Sequence, residues 1–257
     1  MGIVRHERKG EEGAAGLFCG SWLAARSLGG SERFEEMKKV VVTQALGDDW
    51  QEVLKLTRPR MEAYCKRHEQ DFISIEKPLA HPVQYSKLII PHLMTTKGYD
   101  VVTFLDADIL VALDCPDISK DVEKFCAFDE GAYLDRKAGM TALAKAFGYK
   151  IEPRFYVNTG VFVVTNKVPG IFAQPPIGLF PNHFAEQTWM NIMAHLCDLD
   201  LQELDPSFNC MTSVEQHFGL NRYMDAYMIH YAGQSGDMAK LRGQIEDDIK
   251  KLEEEIR

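Results

Sequence analysis

Apolar residues along this chain form short uninterrupted runs that are separated by longer segments of helical spacing. The clearest runs are residues 38–43 (KKVVVT), 72–75 (FISI) and 101–105 (VVTFL). Helical spacing occupies 50–68 and 85–96, between these runs. An apolar run without polar alternation is typical of a strand that is buried on both faces, as in parallel sheets. The order strand, helix, strand, helix, strand predicts an α/β fold with a mainly parallel central sheet flanked by helices.

The second half of the chain continues this pattern less regularly. Residues 125–128 and the β-branched run 156–165 predict two further strands. Four prolines between positions 167 and 182 predict a loop, and residues 184–196 return to helical spacing. In the first half, Pro59 predicts an interruption of the first helix, because proline has no N–H to donate.

Both ends of the chain differ from the central pattern. Residues 1–36 are rich in glycine and lack a sustained period, so we expect a poorly ordered tail. Residues 37–238 then form one domain of ordinary size. Residues 239–257 predict an amphipathic helix, whose stripe consists of Leu241, Ile245, Ile249, Leu252 and Ile256. Such a stripe packs on its own domain or, as the alternative, joins two copies of the chain into a homodimer.

Composition and charge narrow the classes of function. Of the 257 residues, 46% are hydrophobic and 26% are charged, as in ordinary globular proteins. A formal net charge of −9 disfavours nucleic acid as a partner, because phosphate backbones repel a negative surface. No stretch reaches the ~20 apolar residues of a membrane span, and the six cysteines show no C-x-x-C spacing. We therefore expect a cytoplasmic protein whose partners are small molecules or polar acceptors.

Candidate chemistry begins at the end of the third run, in the sequence LDAD. Asp106 and Asp108 are two positions apart, so they lie on one face if the strand continues. The carboxyl ends of strands are where open α/β sheets place their ligands. The residues that follow, ILVAL, are apolar, and a carboxylate in such surroundings needs a cationic partner. That partner is a divalent metal ion or, as the alternative, an Arg or Lys side chain from elsewhere in the fold.

Five short motifs occur in a fixed order along the chain. They are YSKLIIPHL with Lys87, LDAD, VNTGVFVV with Asn158, the pair Glu186-Gln187, and HYAG with His230. This ordered set resembles glycosyltransferase family 8, which contains the glycogenin-like and galactinol-synthase-like sugar transferases. The resemblance covers residues 38–233, nearly all of the chain that we expect to be ordered.

The resemblance implies a single GT-A (Rossmann-like) domain that transfers a hexose from a nucleotide sugar to an acceptor hydroxyl. The expected donor is UDP-glucose or UDP-galactose, held through Mn²⁺ or Mg²⁺, and Asp106, Asp108 and His230 match the family's metal ligands. A divalent cation there would stabilise the charge that develops on the diphosphate as the sugar leaves. The resemblance implies retention of the anomeric configuration, whereas the acceptor stays open between glycan, protein, lipid and polyol.

The same resemblance assigns the remaining candidates. Glu186 and Gln187 stand where the family usually has Asp-Gln near the reacting carbon. Asp129, with Glu130 as the alternative, is a candidate for contacts with sugar hydroxyls. Expected contacts with the nucleotide sugar come from Thr43, Gln44, Ala45, Lys87, Asp106, Ala107, Asn158, Thr159, Gly160 and Gly233.

One segment departs from the family pattern. After its histidine and glycine the family commonly continues into a Lys-Pro-Trp segment that clamps the diphosphate, whereas here GQSGD occupies 233–237. Lys240, or groups of Ser235 and Gly236, could replace that clamp. The departure favours one alternative, a non-catalytic nucleotide-sugar-binding or scaffold protein of the same fold. A second alternative is a phosphatase with an Asp-x-Asp nucleophile, although such enzymes carry the motif on their first strand.

Overall fold

A computed structural model describes residues 37–176, 178–181, 184–234 and 236–255 of the chain. The predicted tail, residues 1–36, lies outside the described residues. The strands are β1 (Lys39–Gln44), β2 (Asp71–Ile75), β3 (Val101–Asp106), β4 (Ile109–Val111), β5 (Phe125–Asp129), β6 (Val157–Thr165), β7 (Gln202–Glu203) and β8 (Met228–His230). The α-helices are α1 (Asp48–Arg67), α2 (Ile90–Lys97), α3 (Lys137–Ala146), α4 (Ala185–Leu196), α5 (Thr212–Phe218) and α6 (Met238–Glu255).

Six strands form one sheet in the order β2-β1-β3-β6-β5-β7. Strand β1 pairs in parallel with β2 and β3, and β5 pairs in parallel with β7. Strand β6 runs antiparallel to both of its neighbours, β3 and β5. Five strands therefore share one direction, which confirms the mainly parallel sheet, and β6 is the exception. Strands β4 and β8 form a separate antiparallel pair.

Alternate side chains of β1 serve the two faces of this sheet. Val41 packs in one core with Leu54 of α1. Val40 and Val42 pack in the other core, which contains Met190 of α4. Both faces are covered, which explains why the strands read as unbroken apolar runs rather than as an alternating pattern.

The first helix differs from its prediction. Helix α1 continues through Pro59, so the predicted interruption is wrong. Val53 and Leu54 before the proline and Met61 and Tyr64 after it are all buried. Burial on both sides outweighs the ~3 kcal/mol that a proline inside a helix costs.

The segment predicted as a helix at 85–96 is divided. A 3₁₀ helix covers Val83–Ile89, and α2 follows from Ile90 with a proline near its first turn. Proline suits the start of an α-helix, because its missing N–H would have no partner there. The 3₁₀ portion is the part that carries Lys87.

The C-terminal helix α6 packs on its own domain. Leu241 and Ile245 are fully buried in a cluster with Val53 of α1 and Ile229 of β8. Ile249 and Leu252 lie partly buried against the same cluster, and Ile256 is outside the described residues. The predicted amphipathic helix is therefore confirmed, whereas dimerisation through it stays a prediction.

Candidate metal centre

The ends of four strands meet at one edge of the sheet. Gln44, at the carboxyl end of β1, is in register with Asp106, at the carboxyl end of β3. Strand β6 enters at this edge because it runs the other way, and its first residue, Val157, pairs with Asp129 of β5. The polar residues Asn158 and Thr159 therefore begin β6 beside the end of β3. The sheet topology thus gathers most of the predicted site residues.

The LDAD sequence forms a turn rather than a continuing strand. Strand β3 ends at Asp106, and β4 begins directly after Asp108. The hydroxyl of Thr57 in α1 donates to the carbonyl of Ala107 at 2.7 Å. The N–H of Tyr231 donates to the carbonyl of Asp108 at 3.2 Å. The turn is thus held by hydrogen bonds from two sides. It brings both carboxylates close together, although they do not lie on one face of a single strand.

His230 joins the two carboxylates from a distant part of the sequence. Strand β8 pairs with β4 so that His230 lies opposite Ile109. Its Nε2 atom is 3.7 Å from Oδ1 of Asp108. One potential ligand atom from each of Asp106, Asp108 and His230 lies within 4.8 Å of the others. Two carboxylate oxygens and an imidazole nitrogen form a donor set that Mn²⁺ and similar divalent cations accept.

The surroundings of this cluster fit a cation. Burial raises the pKa of Asp108, and the nearby charge of Asp106 raises it further, although His230 opposes both effects. Gly160 lines the cluster without a side chain. A Cβ at Gly160 would overlap Cε1 of His230 and would lie 2.9 Å from Oδ2 of Asp106. The three residues could therefore hold a divalent metal ion in a space that only glycine leaves open.

Lys87 is the basic neighbour of the cluster. Its buried Nζ atom lies 3.2 Å from Oδ1 of Asp106 and 3.1 Å from Oε1 of Glu186. It also donates to the carbonyl of Thr159 at 3.2 Å and sits 4.6 Å from the ring centre of Phe104. Burial by itself lowers the pKa of Lys87, but Asp106 and Glu186 outweigh it and hold that pKa above its ordinary value. Lys87 therefore forms an ion pair with Asp106, whereas the carboxylate of Asp108 lies beside His230.

The first turn of α4 contributes the predicted pair Glu186 and Gln187, both buried. The hydroxyl of Thr159 donates to Oε1 of Glu186 at 3.3 Å. The N–H of Thr159 donates to Oε1 of Gln187 at 3.1 Å, and Nε2 of Gln187 donates to Oε1 of Glu130 at 3.1 Å. These bonds leave each of the two side chains with a fixed orientation beside β6.

The two adjacent carboxylates after β5 have different surroundings. Oδ1 of Asp129 accepts from the backbone N–H groups of Gly131 and Tyr156, both at 2.9 Å. Glu130 instead is buried, and Asn158 lies between it and the cluster. Nδ2 of Asn158 donates to Oε2 of Glu130 at 3.1 Å. Burial raises the pKa of Glu130, although its hydrogen bonds and Arg136 oppose this. Glu130 rather than Asp129 therefore bonds to the side chains beside the cluster.

The remaining residues that were predicted to contact the nucleotide sugar lie at the carboxyl end of β1 and after β8. Thr43 and Ala45 are fully buried, and the N–H of Ala45 donates to the carbonyl of Ile75 at 2.9 Å. The side-chain oxygen of Gln44 is buried and has no hydrogen-bond partner among the described residues. Gly233 follows β8 with φ of 79°, a left-handed conformation that glycine adopts readily. Their contacts with a nucleotide sugar stay a prediction.

Asn209 belongs to the site and was not among the sequence candidates. Its Oδ1 atom is 2.7 Å from Nδ1 of His230, and its Nδ2 donates to Oδ1 of Asn158 at 3.2 Å. It follows the short 3₁₀ helix Pro206–Phe208 and is fully buried. The available signal was a lone amide within the apolar sequence FNCM, since a buried amide needs partners. The sequence around Asn209 does not indicate that its partners are His230 and Asn158.

Comparisons with known proteins bear on the fold of the chain. No protein-family model matches the chain. No curated protein matches it by sequence either. Solved structures do match.

Glycosyltransferases are among these structures. A glycosyltransferase involved in the glycosylation of the major capsid of PBCV-1 has a TM-score of 0.57 at 15% identity, over 81% of this chain and 98% of that one. The bifunctional WbbM glycosyltransferase has a TM-score of 0.54 at 14% identity, over 85% of this chain and 52% of its own. GlyE of Streptococcus pneumoniae TIGR4 has a TM-score of 0.50 at 13% identity, over 81% of this chain and 63% of its own.

At such identities the likeness establishes the fold. The chain has a GT-A-like glycosyltransferase fold, with a three-residue cluster at the carboxyl edge of its sheet that could hold a metal ion. Among the described residues, no helix combines the length and the apolar composition that crossing a membrane requires.

Proposed function

We propose that this protein is a metal-dependent hexosyltransferase related to glycosyltransferase family 8. It moves a hexose from UDP-glucose or UDP-galactose to an acceptor hydroxyl. The observation that carries the proposal is the convergence of Asp106, Asp108 and His230 at the edge where an α/β sheet binds ligands, within a GT-A-like fold. The five motifs of the resemblance support it, because three of them supply this cluster and Lys87 beside it.

Asp106, Asp108 and His230 would hold Mn²⁺ or Mg²⁺, which supplies Lewis-acid stabilisation to a diphosphate leaving group when bound. Lys87 stands next to Asp106 with its charge fixed by two carboxylates. It adds a second, protein-borne positive charge toward the phosphates. This charge is pre-positioned, since the ammonium is buried and already hydrogen-bonded before any ligand arrives.

Glu186 and Gln187 are the candidates for contacts with the reacting sugar. Both are buried at the start of α4, and both bond to Thr159 rather than to solvent. Glu130 orients the amide of Gln187 and accepts from Asn158. We assign sugar hydroxyl contacts to Glu130 and Asn158, with Asp129 holding the backbone of the same loop. Retention of configuration follows from the proposed family relation.

The alternatives have less support in the geometry. A phosphatase would carry its Asp-x-Asp on the first strand, whereas here the motif ends β3 and faces a histidine. A binding or scaffold protein of the same fold remains the second candidate, because the family's diphosphate clamp is absent from the sequence at 233–237. Lys240, the candidate replacement, lies after that segment at the start of α6, where it is exposed and its N–H donates to Oδ1 of Asp237.

Donor hydrolysis tests the proposal. The protein is incubated with a panel of nucleotide sugars, with and without Mn²⁺, and release of the nucleoside diphosphate is measured. We expect cation-dependent release of UDP from one UDP-hexose, since water can replace the acceptor slowly. Tight UDP binding without release would favour the binding protein, and absence of any nucleotide binding, with metal present, would refute the transferase.

The variant Asp108→Asn gives the first specific prediction. Loss of one carboxylate ligand should lower Mn²⁺ affinity by more than ~100-fold, beyond the usual effect of losing a supporting residue. Isothermal titration measures the affinity, and UDP release should fall with it. Asp114→Asn, at an exposed position after β4, is the matched control and should behave as the wild type. Unchanged Mn²⁺ affinity in Asp108→Asn would exclude this metal site.

A further inference from the structure

Two buried amides connect the candidate metal centre to a buried carboxylate. Asn158 and Asn209, here called the amide relay, lie between Glu130 and His230. All four side chains are at least nine-tenths buried. We infer that Asn209 is a positioning residue, which acts with Asn158 to hold His230 in the tautomer whose Nε2 is bare and can bind a metal. The inference rests on the proposed function only in assigning that Nε2 to a metal.

The first step fixes the orientation of Asn158. The backbone N–H of Gly160 lies 2.9 Å from one terminal atom of the Asn158 side chain. A backbone N–H can only donate, so this atom must be the acceptor, Oδ1. The orientation of the Asn158 amide therefore follows from a backbone N–H group. It does not depend on how protons are assigned to other side chains.

The second step carries this orientation to the histidine. Oδ1 of Asn158 also faces a terminal atom of Asn209 at 3.2 Å, and that atom must be the donor, Nδ2. The other terminal atom of Asn209 is then Oδ1, which lies 2.7 Å from Nδ1 of His230. An amide oxygen can only accept, so Nδ1 of His230 carries a proton. In the neutral imidazole, Nε2 then has a free lone pair.

The far end of the relay agrees with the same direction. Nδ2 of Asn158 donates to Oε2 of Glu130 at 3.1 Å, and the other carboxylate oxygen accepts from Gln187 at 3.1 Å. Nε of Arg136 lies 3.4 Å from that second oxygen, so a charge partner is present for Glu130. Every donor therefore points from the histidine toward the carboxylate. Reversing either amide would place two donors or two acceptors against each other in a buried place, which is costly.

The bare nitrogen faces the other predicted ligands. Nε2 of His230 is on the side of Asp108, 3.7 Å from its Oδ1. Histidines that ligate metals commonly donate their second ring N–H to an acceptor, which fixes the ring and its tautomer. Here the acceptor is the oxygen of a side-chain amide instead of a carboxylate or a backbone carbonyl. The relay thus prepares His230 as a ligand before any metal binds.

The inference can be tested first on the unsubstituted, metal-free protein. Long-range ¹H–¹⁵N NMR spectra of histidine rings distinguish a protonated Nδ1 from a protonated Nε2 in neutral imidazole. We expect the His230 ring, identified by its loss in His230→Gln, to show a protonated Nδ1. A neutral His230 ring in the wild type whose proton is on Nε2 and whose Nδ1 is bare would overturn the inference without any change at Asn209.

Variants at Asn209 then separate orientation from packing. Asn209→Leu has a similar size but no acceptor, so we expect a mixture of tautomers and a roughly 10- to 100-fold weaker affinity for Mn²⁺, as when the residue that orients a metal ligand is lost. Asn209→Asp loses the donor to Oδ1 of Asn158 but keeps an oxygen that accepts from Nδ1–H, so Nδ1 of His230 should stay protonated. Gln70→Leu is the matched control, since it removes a buried amide at the opposite end of the sheet, where Gln70 bonds to Asp117 and Ser119.

The outcomes are distinct. A weaker Mn²⁺ affinity in Asn209→Leu with an unchanged tautomer would overturn the inference, because it would reveal packing alone. If Asn209→Leu does not fold, the wild-type spectrum and Asn209→Asp decide, and a His230 ring without a proton on Nδ1 in Asn209→Asp would overturn the inference. If the wild type binds no Mn²⁺, the proposed function fails, whereas the NMR spectra still decide the tautomer.

Discussion

At the scale of single residues, chemistry and position determine the candidate site. Asp106 and Asp108 were predictable because two carboxylates at the end of a buried apolar run need a cationic partner. The choice between Asp129 and Glu130 was not predictable. The shorter side chain turns back to cap its own loop, whereas the longer one reaches the amides of β6 and α4. That difference depends on backbone direction at the end of β5, which neighbouring carboxylates in a sequence do not reveal.

Gly160 gives a prediction at this scale. Gly160→Ala would place a Cβ against His230 and Asp106, so we expect at least ~10-fold weaker Mn²⁺ binding and a loss of about 1–3 kcal/mol in the free energy of unfolding. Titration calorimetry and urea unfolding measure both. Gly139→Ala, in α3, is the control, because its Cβ would meet nothing within 4 Å and alanine favours the helix. Wild-type Mn²⁺ affinity in Gly160→Ala would show that the cluster is not packed as described.

At the scale of secondary-structure elements, helix α6 supports the strand that carries the histidine. Asp248 of α6 is buried and accepts from the hydroxyl of Tyr231 at 2.9 Å, directly after His230. It also accepts from the hydroxyl of Tyr223 at 2.8 Å, and Arg222 lies 3.5 Å away. The apolar stripe of α6 was visible in the sequence, but its polar anchor was not, because Asp247 and Asp248 read alike there.

Asp248→Ala should therefore weaken both fold and site. Removing one member of a buried, hydrogen-bonded charge pair costs about 3–5 kcal/mol, and looser packing of Tyr231 should lower Mn²⁺ affinity as well. Chemical unfolding and titration calorimetry measure the two effects. The adjacent Asp247→Ala is a close control, since Asp247 is exposed and pairs along the helix with Lys250. Equal effects from both variants would contradict the role of Asp248 as an anchor.

A second prediction at this scale concerns the stability of the protein at acidic pH. Asp117, in the loop after β4, pairs with Lys39 of β1 at 3.0 Å and accepts from the N–H and the hydroxyl of Ser119 in its own loop. Burial tends to raise the pKa of Asp117, but the hydrogen bonds from Ser119 and Lys39 outweigh it and hold the pKa below its usual range. A lowered folded-state pKa means that this carboxylate stabilises the protein above its unfolded-state pKa of about 3.9. The stabilisation is lost as pH falls through the folded-state pKa.

Asp117→Asn should accordingly lower stability by about 1 kcal/mol at neutral pH, and its deficit should shrink on acidification below about pH 4. Urea unfolding at a series of pH values gives the difference between variant and wild type. Asp114→Asn, exposed and close in sequence, is again the control. A deficit that stayed constant from neutral to acidic pH would contradict the proposed ion pair and hydrogen bonds.

At the scale of the whole molecule, the described part of the chain is held by apolar clusters on both sides of one sheet. These clusters draw on residues from Val40 of β1 to Leu252 of α6. The metal cluster likewise uses residues from β3 to β8. We therefore expect residues 37–257 to contain what the fold and the site require.

Deletion of residues 1–36 tests this expectation. The shortened chain should unfold at the same temperature as the full chain, within about 2 °C, and should bind Mn²⁺ with equal affinity. Differential scanning calorimetry and titration calorimetry measure the two quantities. A large decrease in the unfolding temperature or in the Mn²⁺ affinity would show that residues 1–36 contribute to the fold or the site. It would overturn the predicted domain boundary.

The sequence by itself determined the alternation of strands and helices from β1 to β3, the parallel first half of the sheet and the two carboxylates at the end of β3. These follow from local information, because apolar runs and helical spacing report burial within one element. The tertiary structure decided the reversed direction of β6, the continuity of α1 at Pro59, and the meeting of Asp108, Asn209 and His230. Those features depend on contacts between residues far apart in the chain, and their physical cause is packing and hydrogen bonding that no single segment contains.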